Sequence, residues 1–290
     1  MMLLTPLNRD EVIHCSRQLP SFPRLITEIL TTLDDPDGSF HSLVHCINLD
    51  PVISARILSV ANIAAMRGRI DSEICNVNTA VSLIGLNRVR HIVLISGLCT
   101  FVGAAAHAGV PTSFWQHSVA VGVCSIELAE HVTIPVLTSA ALVAGLLHDV
   151  GQLWLYRFRT KDMHMCQHQA IEHNRGVDAF ERERFGEDHC TIGAWLAKHW
   201  GLPGAVVAAI AGHHRPEESL DITLVPLIHV AEVLSNALDL GRCAENRVTT
   251  ISSNACDKLG LVFNDDIRPL FGRIEARSRH ANQFFMTSNH

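Results

Sequence analysis

Residues 141–151 read Ala-Leu-Val-Ala-Gly-Leu-Leu-His-Asp-Val-Gly, an apolar run that ends in the adjacent pair His148 and Asp149. The run is the end of an apolar helix spanning Leu137 to Val150, and Gly151 is placed to terminate it. A histidine and an aspartate at such a position need polar partners. Neighbouring helical positions differ by about 100°, so both side chains reach one ion only where the helix end faces a cleft. Taken alone, the pair is a weak signal and reads as a helix end satisfied by backbone or water.

The same kind of signal extends in both directions, and sustained alternation of the sort a half-buried strand shows is hard to find, so the expected fold is all-α. Towards the N-terminus, Asp50-Pro51 pairs an N-cap acid with proline at the first helical position, and Ile53, Ile57, Leu58 and Val60 follow at helical spacing. Ser21 to Pro23 opens an earlier helix through Leu33, ended by the turn Asp34-Asp35-Pro36-Asp37-Gly38. Gly85 closes a short segment from Val77 to Ile84, and Asn87 is placed to cap the apolar helix after it. Ala108-Gly109-Val110-Pro111 marks a subdomain boundary. Beyond it, helices are expected near Phe114 to His131, Leu137 to Val150, Lys161 to Asn174, Asp188 to Trp200, Pro203 to His213 and Leu224 to Asp239, with one or two more in the polar tail, including Ile267 to Asn282. The division is therefore an N-terminal helical subdomain over 1–108, a helical bundle over 109–240 and a C-terminal helical extension over 241–290.

The chain has 290 residues, enough for one large or two modest domains with a buried core. Its nine cysteines form no C-x-x-C pair, which points to reduced thiols and a cytoplasmic protein. The start, MMLLTPLNRDEV, has no signal-peptide core. Ile92 to Ala106 is fifteen residues long and interrupted by Ser96 and Thr100, against the ~20 that a membrane span needs, so no membrane partner is expected. With 29 acids against 23 bases the formal charge is −6, and no nucleic-acid surface is expected either.

The unusual number is eighteen histidines. Several stand where helices could converge on His148 and Asp149. His117 lies in FWQHSVAVG, His189 directly follows the N-cap candidate Asp188 in FGEDHCTIGAWL, His213 and His214 end the helix that starts at Pro203, and Glu232 lies in PLIHVAEVL one turn after His229. Imidazole with carboxylate, and no cysteine required, suits iron, manganese, zinc or nickel rather than a thiolate zinc site. Each lone histidine equally fits a core residue donating one hydrogen bond. Arg88, Arg90 and His91 read as a solvated helix face, Trp115, Trp154, Trp200 and Tyr156 as core aromatics, and Glu217-Glu218 as an exposed turn. His164, His168 and His173 approximate one helix face, with no carboxylate in phase to complete a site. A haem site has no C-x-x-C-H support.

The order His117, His148-Asp149, His189, His213-His214 and a later acid resembles the HD-domain phosphohydrolase superfamily. The stretches LPSFPRLITEILTTLDDPDGSFHSLVHCINLDPVISARILSVAN (19–62) and AVSLIGLNRVRHIVLISG (80–97) narrow the likeness to the HDOD family, the HD-related output domain of bacterial signalling proteins. The resemblance covers about residues 19–240. It implies an N-terminal helical subdomain and an HD-like bundle. His117, His148, Asp149 and the late acid would bind a first metal; Asp149 would bridge to a second held by His189 and one of His213 or His214. Three positions depart from the pattern. Glu232 stands where aspartate is usual, Gln152 where many members carry lysine, and RPEESLD after His214 has no Gly-Tyr-Pro element. Many HDOD members, moreover, have lost metal ligands.

Two functions follow as expectations. One is a phosphohydrolase using one or two divalent ions on a phosphate ester or nucleotide, with Asp149 bridging and an unliganded His213 or His214 protonating the leaving oxygen. The other is a non-catalytic signalling output or scaffold module, working through a separate signalling protein partner, with a structural or vestigial metal site.

Overall fold

The apolar run that ends in His148 and Asp149 does not continue as one helix. In the computed structural model, which describes residues 6–19, 28–29, 32, 35, 39–68, 73–86, 88–89, 92–93, 96, 110–241 and 250–287, the helix stops at Leu147 and a new one starts at Val150. The described residues are helical with no strands, as the periodicity requires. The helix opened at Ser21, its closing turn, the cap at Asn87, most of the apolar segment 92–106 and the Gly109 break lie wholly or largely outside the described residues. Among those described, no single helix is long and apolar enough to cross a membrane.

The chain divides into two compact units, Ser21–Ala104 and the combination of Met1–Pro20 with Ala105–His290. The division drawn from sequence placed the first twenty residues with the former and set 241–290 apart. Helix α1 (Arg9–Ser16) instead joins the larger unit, where Trp154 Nε1 donates to Val12 O at 3.2 Å and Leu7 N donates to Phe185 O at 2.7 Å.

In the smaller unit, α2 (Phe40–Asn48) buries Leu43, Val44 and Ile47. Asp50 then caps α3 (Pro51–Arg67), its carboxylate accepting from Val52 N at 2.8 Å and Ile53 N at 3.0 Å, a contribution of about 1 kcal/mol. Ile53 and Ile57 are buried, while Leu58 and Val60 are half-buried. Asn62 clamps the following loop by accepting from Ile74 N and donating to Ile74 O. Asn76 caps α4 (Val77–Ile84), and Gly85, at φ 79°, ends it in a conformation that favours glycine.

The larger unit holds α5 (Thr112–His131), α6 (Thr138–Leu147), α7 (Val150–Phe158), α8 (Thr160–His173), α9 (Val177–Phe185), α10 (His189–His199), α11 (Gly204–Gly212), α12 (Leu224–Ala237), α13 (Ser253–Leu259) and α14 (Arg268–Thr287). Helix α5 packs against α6, α12 and α14, and α10 against α7 and α11. Helices α1, α2, α7 and α9 were missed in the sequence. Gly151 does not terminate a helix; it is the second residue of α7, and a Cβ there would lie 2.0 Å from the His189 carbonyl oxygen. Its role is close approach of α7 to α10. Gly145 serves α5 and α6 in the same way, since its Cβ would meet Ser125 Oγ at 2.5 Å.

Candidate metal centre

The break between α6 and α7 is what aims His148 and Asp149 at one point. His148 Nδ1 donates to Gly145 O at 2.8 Å, competing for the carbonyl that Asp149 N would take in a continuous helix. Asp149 leaves the helical region at φ −97°, ψ 16°, and its side chain does not cap α7. The pair therefore escapes the ~100° divergence of consecutive helical residues. Around it stand His117 from the middle of α5, His189 as the first residue of α10, His213 and His214 just past α11, and Glu232 from α12.

Asp149 lies between two sets of imidazoles. Its Oδ2 is 3.3 Å from His148 Nε2 and 3.8 Å from His117 Nε2; its Oδ1 is 3.2 Å from His189 Nε2 and 3.7 Å from His213 Nε2. Glu232 reaches both His213 and His214, at 4.0 Å from each Nε2. Glutamate's extra methylene thus brings its carboxylate to the centre. Three groups of potential donor atoms lie within 4.8 Å of one another: His117, His148 and Glu232; His148, Asp149 and His213; and His189, Cys190, His213 and His214. His117, His148, Asp149, His189, His213, His214 and Glu232 all fall within these groups.

The tautomers are set from outside. Glu181 Oε2 accepts from His189 Nδ1 at 2.6 Å and from His189 N at 2.8 Å, and Ile210 O accepts from His213 Nδ1 at 2.9 Å. With His148 on Gly145 O, three imidazoles place their protons at Nδ1 and turn Nε2 towards the carboxylate. Both nitrogens of His117, Nε2 of His148 and Oε2 of Glu232 are buried without a hydrogen bond. Lone pairs facing lone pairs in a dry interior require a cation or protons between them. That unmet demand, with its nitrogen and oxygen donors, fits a divalent metal.

In protons alone the demand is divided unevenly. Burial and the neighbouring His148 push His117 down to about 3, and burial with His213 and His189 holds His214 well below the usual imidazole range. Burial also works against charge on His189 and His213, but Cys190, with Glu181 and Asp149 beside His189 and Asp149 and Glu232 beside His213, raises both well above that range. Burial likewise opposes the Asp149 carboxylate, and the imidazoles of His148, His189 and His213 more than offset it. Glu232 is pushed up, chiefly by burial.

A further layer ties the elements together. Asp188 caps α10 by accepting from Thr191 N at 2.9 Å, and pairs with Arg182 and, at 3.3 Å, with Arg215 just after His214. Sequence reading missed Glu181, Cys190 and Arg182. Glu181 sits in a run of alternating acids and bases, ERER, that looks like a solvated face. His229 does not face the centre; its Nδ1 donates to His213 O at 2.7 Å and its Nε2 accepts from Ser252 N at 3.0 Å. His164, His168 and His173 are exposed and form no common site, with His173 stacked on Phe180. Trp115, Trp154 and Tyr156 are buried, and Glu217-Glu218 form an exposed turn of 3-10 helix.

Comparison with known proteins bears on what such a centre belongs to. The model of the HDOD domain matches residues 19–216. An uncharacterized protein of Treponema pallidum (strain Nichols) is 23% identical over 206 residues, 69% of this chain, which spans 39% of that relative's length. Among solved structures, an HDOD domain protein of unknown function from Geobacter sulfurreducens aligns with a TM-score of 0.68 at 22% identity, covering 97% of this chain and 96% of its own. A candidate phosphohydrolase from Shewanella amazonensis SB2B aligns at 0.65 and 22%, covering 96% and 98%. At these identities the likeness is one of fold.

Proposed function

The chain belongs to the HDOD family, and on that premise we propose that the Asp149 centre is a divalent-metal site for hydrolysis of a phosphate ester or nucleotide in bacterial signalling. One observation carries the reading: the Asp149 carboxylate divides its two oxygens between imidazole pairs, His117 with His148 and His189 with His213. His117, His148, Asp149 and Glu232 would hold one ion, and Asp149 with His189 and His213 or His214 a second, iron, manganese, zinc and nickel all suiting these donors. Bound there, such ions lower the pKa of water and offset charge on phosphoryl oxygens.

The chain's own residues supply access and a polar contact. His214, its side chain 17% exposed, is the most open imidazole of the centre, the others being 0–1% exposed. It lines a cavity of about 420 Å³ together with Asp178, Glu217, His229 and Ser252. An ester entering by this cavity would meet His214, whose neutral imidazole offers it a hydrogen bond.

The depth of the centre favours a second reading, a signalling scaffold in which the metal braces five helices and acts on a partner protein rather than a substrate. Metal analysis of protein purified without chelators, then a phosphate-ester panel, separates the two. Bound metal with turnover that His148→Ala and Asp149→Ala abolish supports the hydrolase. Metal without turnover, and in-cell behaviour that survives the same substitutions, supports the scaffold. A protein that neither holds nor rebinds manganese, iron or zinc sinks the site.

A further inference from the structure

Of the nine cysteines, Cys190 alone among those described belongs to a group of metal-competent side chains. It is fully buried, directly follows His189 at the N-terminus of α10, and places Sγ 3.5 Å from His189 Nε2 and 3.8 Å from His213 Nε2. His214 Nε2 lies 3.1 Å from His189 Nε2. These separations have a geometric meaning. With metal–nitrogen bonds of about 2.0 Å and metal–sulfur bonds of about 2.3 Å, a tetrahedral ion sets its nitrogens about 3.3 Å apart and a nitrogen and sulfur about 3.5 Å apart. The spacing of Cys190 and its imidazoles is already near those edges. A thiol hydrogen bond to an imidazole spans the same distances, so the metal-free thiol keeps its proton against these rings until an ion takes its place.

Resting on the reading that the centre binds metal, we propose that Cys190 is itself a ligand at the second position, joining Asp149, His189 and one of His213 or His214. The thiol proton is released on binding. A position with one thiolate among imidazoles favours a thiophilic divalent ion, zinc or ferrous iron, over manganese or magnesium. The position across Asp149, formed by His117, His148 and Glu232, has only nitrogen and oxygen donors. The two positions therefore differ in the metal they prefer. The sequence does not signal this, because Cys190 is one thiol among nine and lies in no paired motif.

Cobalt titration of the metal-stripped full chain tests the proposal. Bound cobalt is counted, and a sulfur-to-cobalt charge-transfer band in the near ultraviolet reports a thiolate ligand. The expected result is a band in the native chain that Cys190→Ser and Cys190→Ala both remove while cobalt still binds at the His117 side. Using two variants guards against one that fails to fold, and circular dichroism verifies the helix content of each. Cobalt bound without the band overturns the thiolate ligand and leaves the metal site standing. A band that persists in both folded variants overturns it too, since another cysteine is then the source. A chain that binds no cobalt overturns both the ligand and the site.

Discussion

The two sides of the Asp149 carboxylate are built differently. On one side, only His148 is held, at Nδ1 by Gly145 O, while neither nitrogen of His117 has a hydrogen-bond partner and Glu232 leaves a buried oxygen without one. On the other, His189 is held at Nδ1 by Glu181 and His213 by Ile210 O, with Asp188 locking α10 to the chain after His214. The braced side keeps its geometry by bonds within the protein. The unbraced side has its unmet polar atoms aimed at the centre, so its order depends more on what binds there. The difference teaches that pre-organisation is local: one cluster of seven side chains contains a rigid half and a half that a ligand would complete.

The largest disturbance would remove the contact on which both halves depend. Gly151→Ala puts a Cβ against the His189 carbonyl, backbone against backbone, with no flexible side chain to yield. Helix α7 must then separate from α10, and a loss of about 4 kcal/mol is expected, the upper end for a single substitution. Urea denaturation measures it, and a loss below about 1 kcal/mol would show that the helices separate easily. Next comes Asp149→Asn, which keeps shape but removes the shared charge. Metal affinity on both sides should fall by more than about a hundredfold, beyond the range for disturbing a supporting group. Retention of metal on either side, read by elemental analysis, would break the symmetry assigned to Asp149.

Much of this centre was legible because its residues are chemically conspicuous and sit at helix ends. His148-Asp149, His189 after Asp188, and His213-His214 each fall where a helix starts or stops, and caps such as Asp50 and Asp188 mark themselves by type and spacing. What could not be read depends on packing between distant segments. The break at His148 arises from a ring competing for a carbonyl, which no periodicity records. Helix α7 follows that break with no side-chain cap, buries all of Val150 to Tyr156 and shows no polar face to give it a period. The membership of α1 in the larger unit rests on the Trp154 indole bond to Val12 O, the Glu11–Arg159 ion pair, a backbone bond at Leu7 and the burial of Val12, none of which has a local signature. Glu181 was hidden for the opposite reason: its neighbours in ERERF are charged, and only the tertiary fold turns this one inward.

Glu181→Gln separates the halves more finely. A glutamine keeps the size and can still accept from His189 Nδ1, but it loses the charge that makes Nε2 a better donor to a metal. Affinity at the His189 side should weaken by about 10- to 100-fold, while the His117 side changes little. Competition with a chelator, followed on the native chain and the variant, resolves two metal populations if this is right. Equal weakening of both would mean that Glu181 supports the fold rather than the ligand.

The smallest effect is in the pH dependence of the metal-free chain, where the halves should have opposite signs. His117 is depressed to about 3 by burial and His148, so between its ordinary range and that value the unfolded chain binds a proton that the folded chain refuses. Its contribution makes stability fall as pH drops below about 6.5, by about 1 kcal/mol per pH unit. His189 is raised: burial opposes its charge, but Cys190 and Glu181 more than offset it. Its contribution is fully present below about 6.5 and is lost as pH rises through the higher folded value. Replacing His117 by glutamine should therefore flatten the acid limb of stability against pH, whereas the same replacement at His189 should flatten the alkaline limb and lower stability most in acid. Urea unfolding at a series of pH values reads both curves. If the two variants shift the profile in the same direction, the braced and unbraced halves share one proton economy, and the contrast between them is lost.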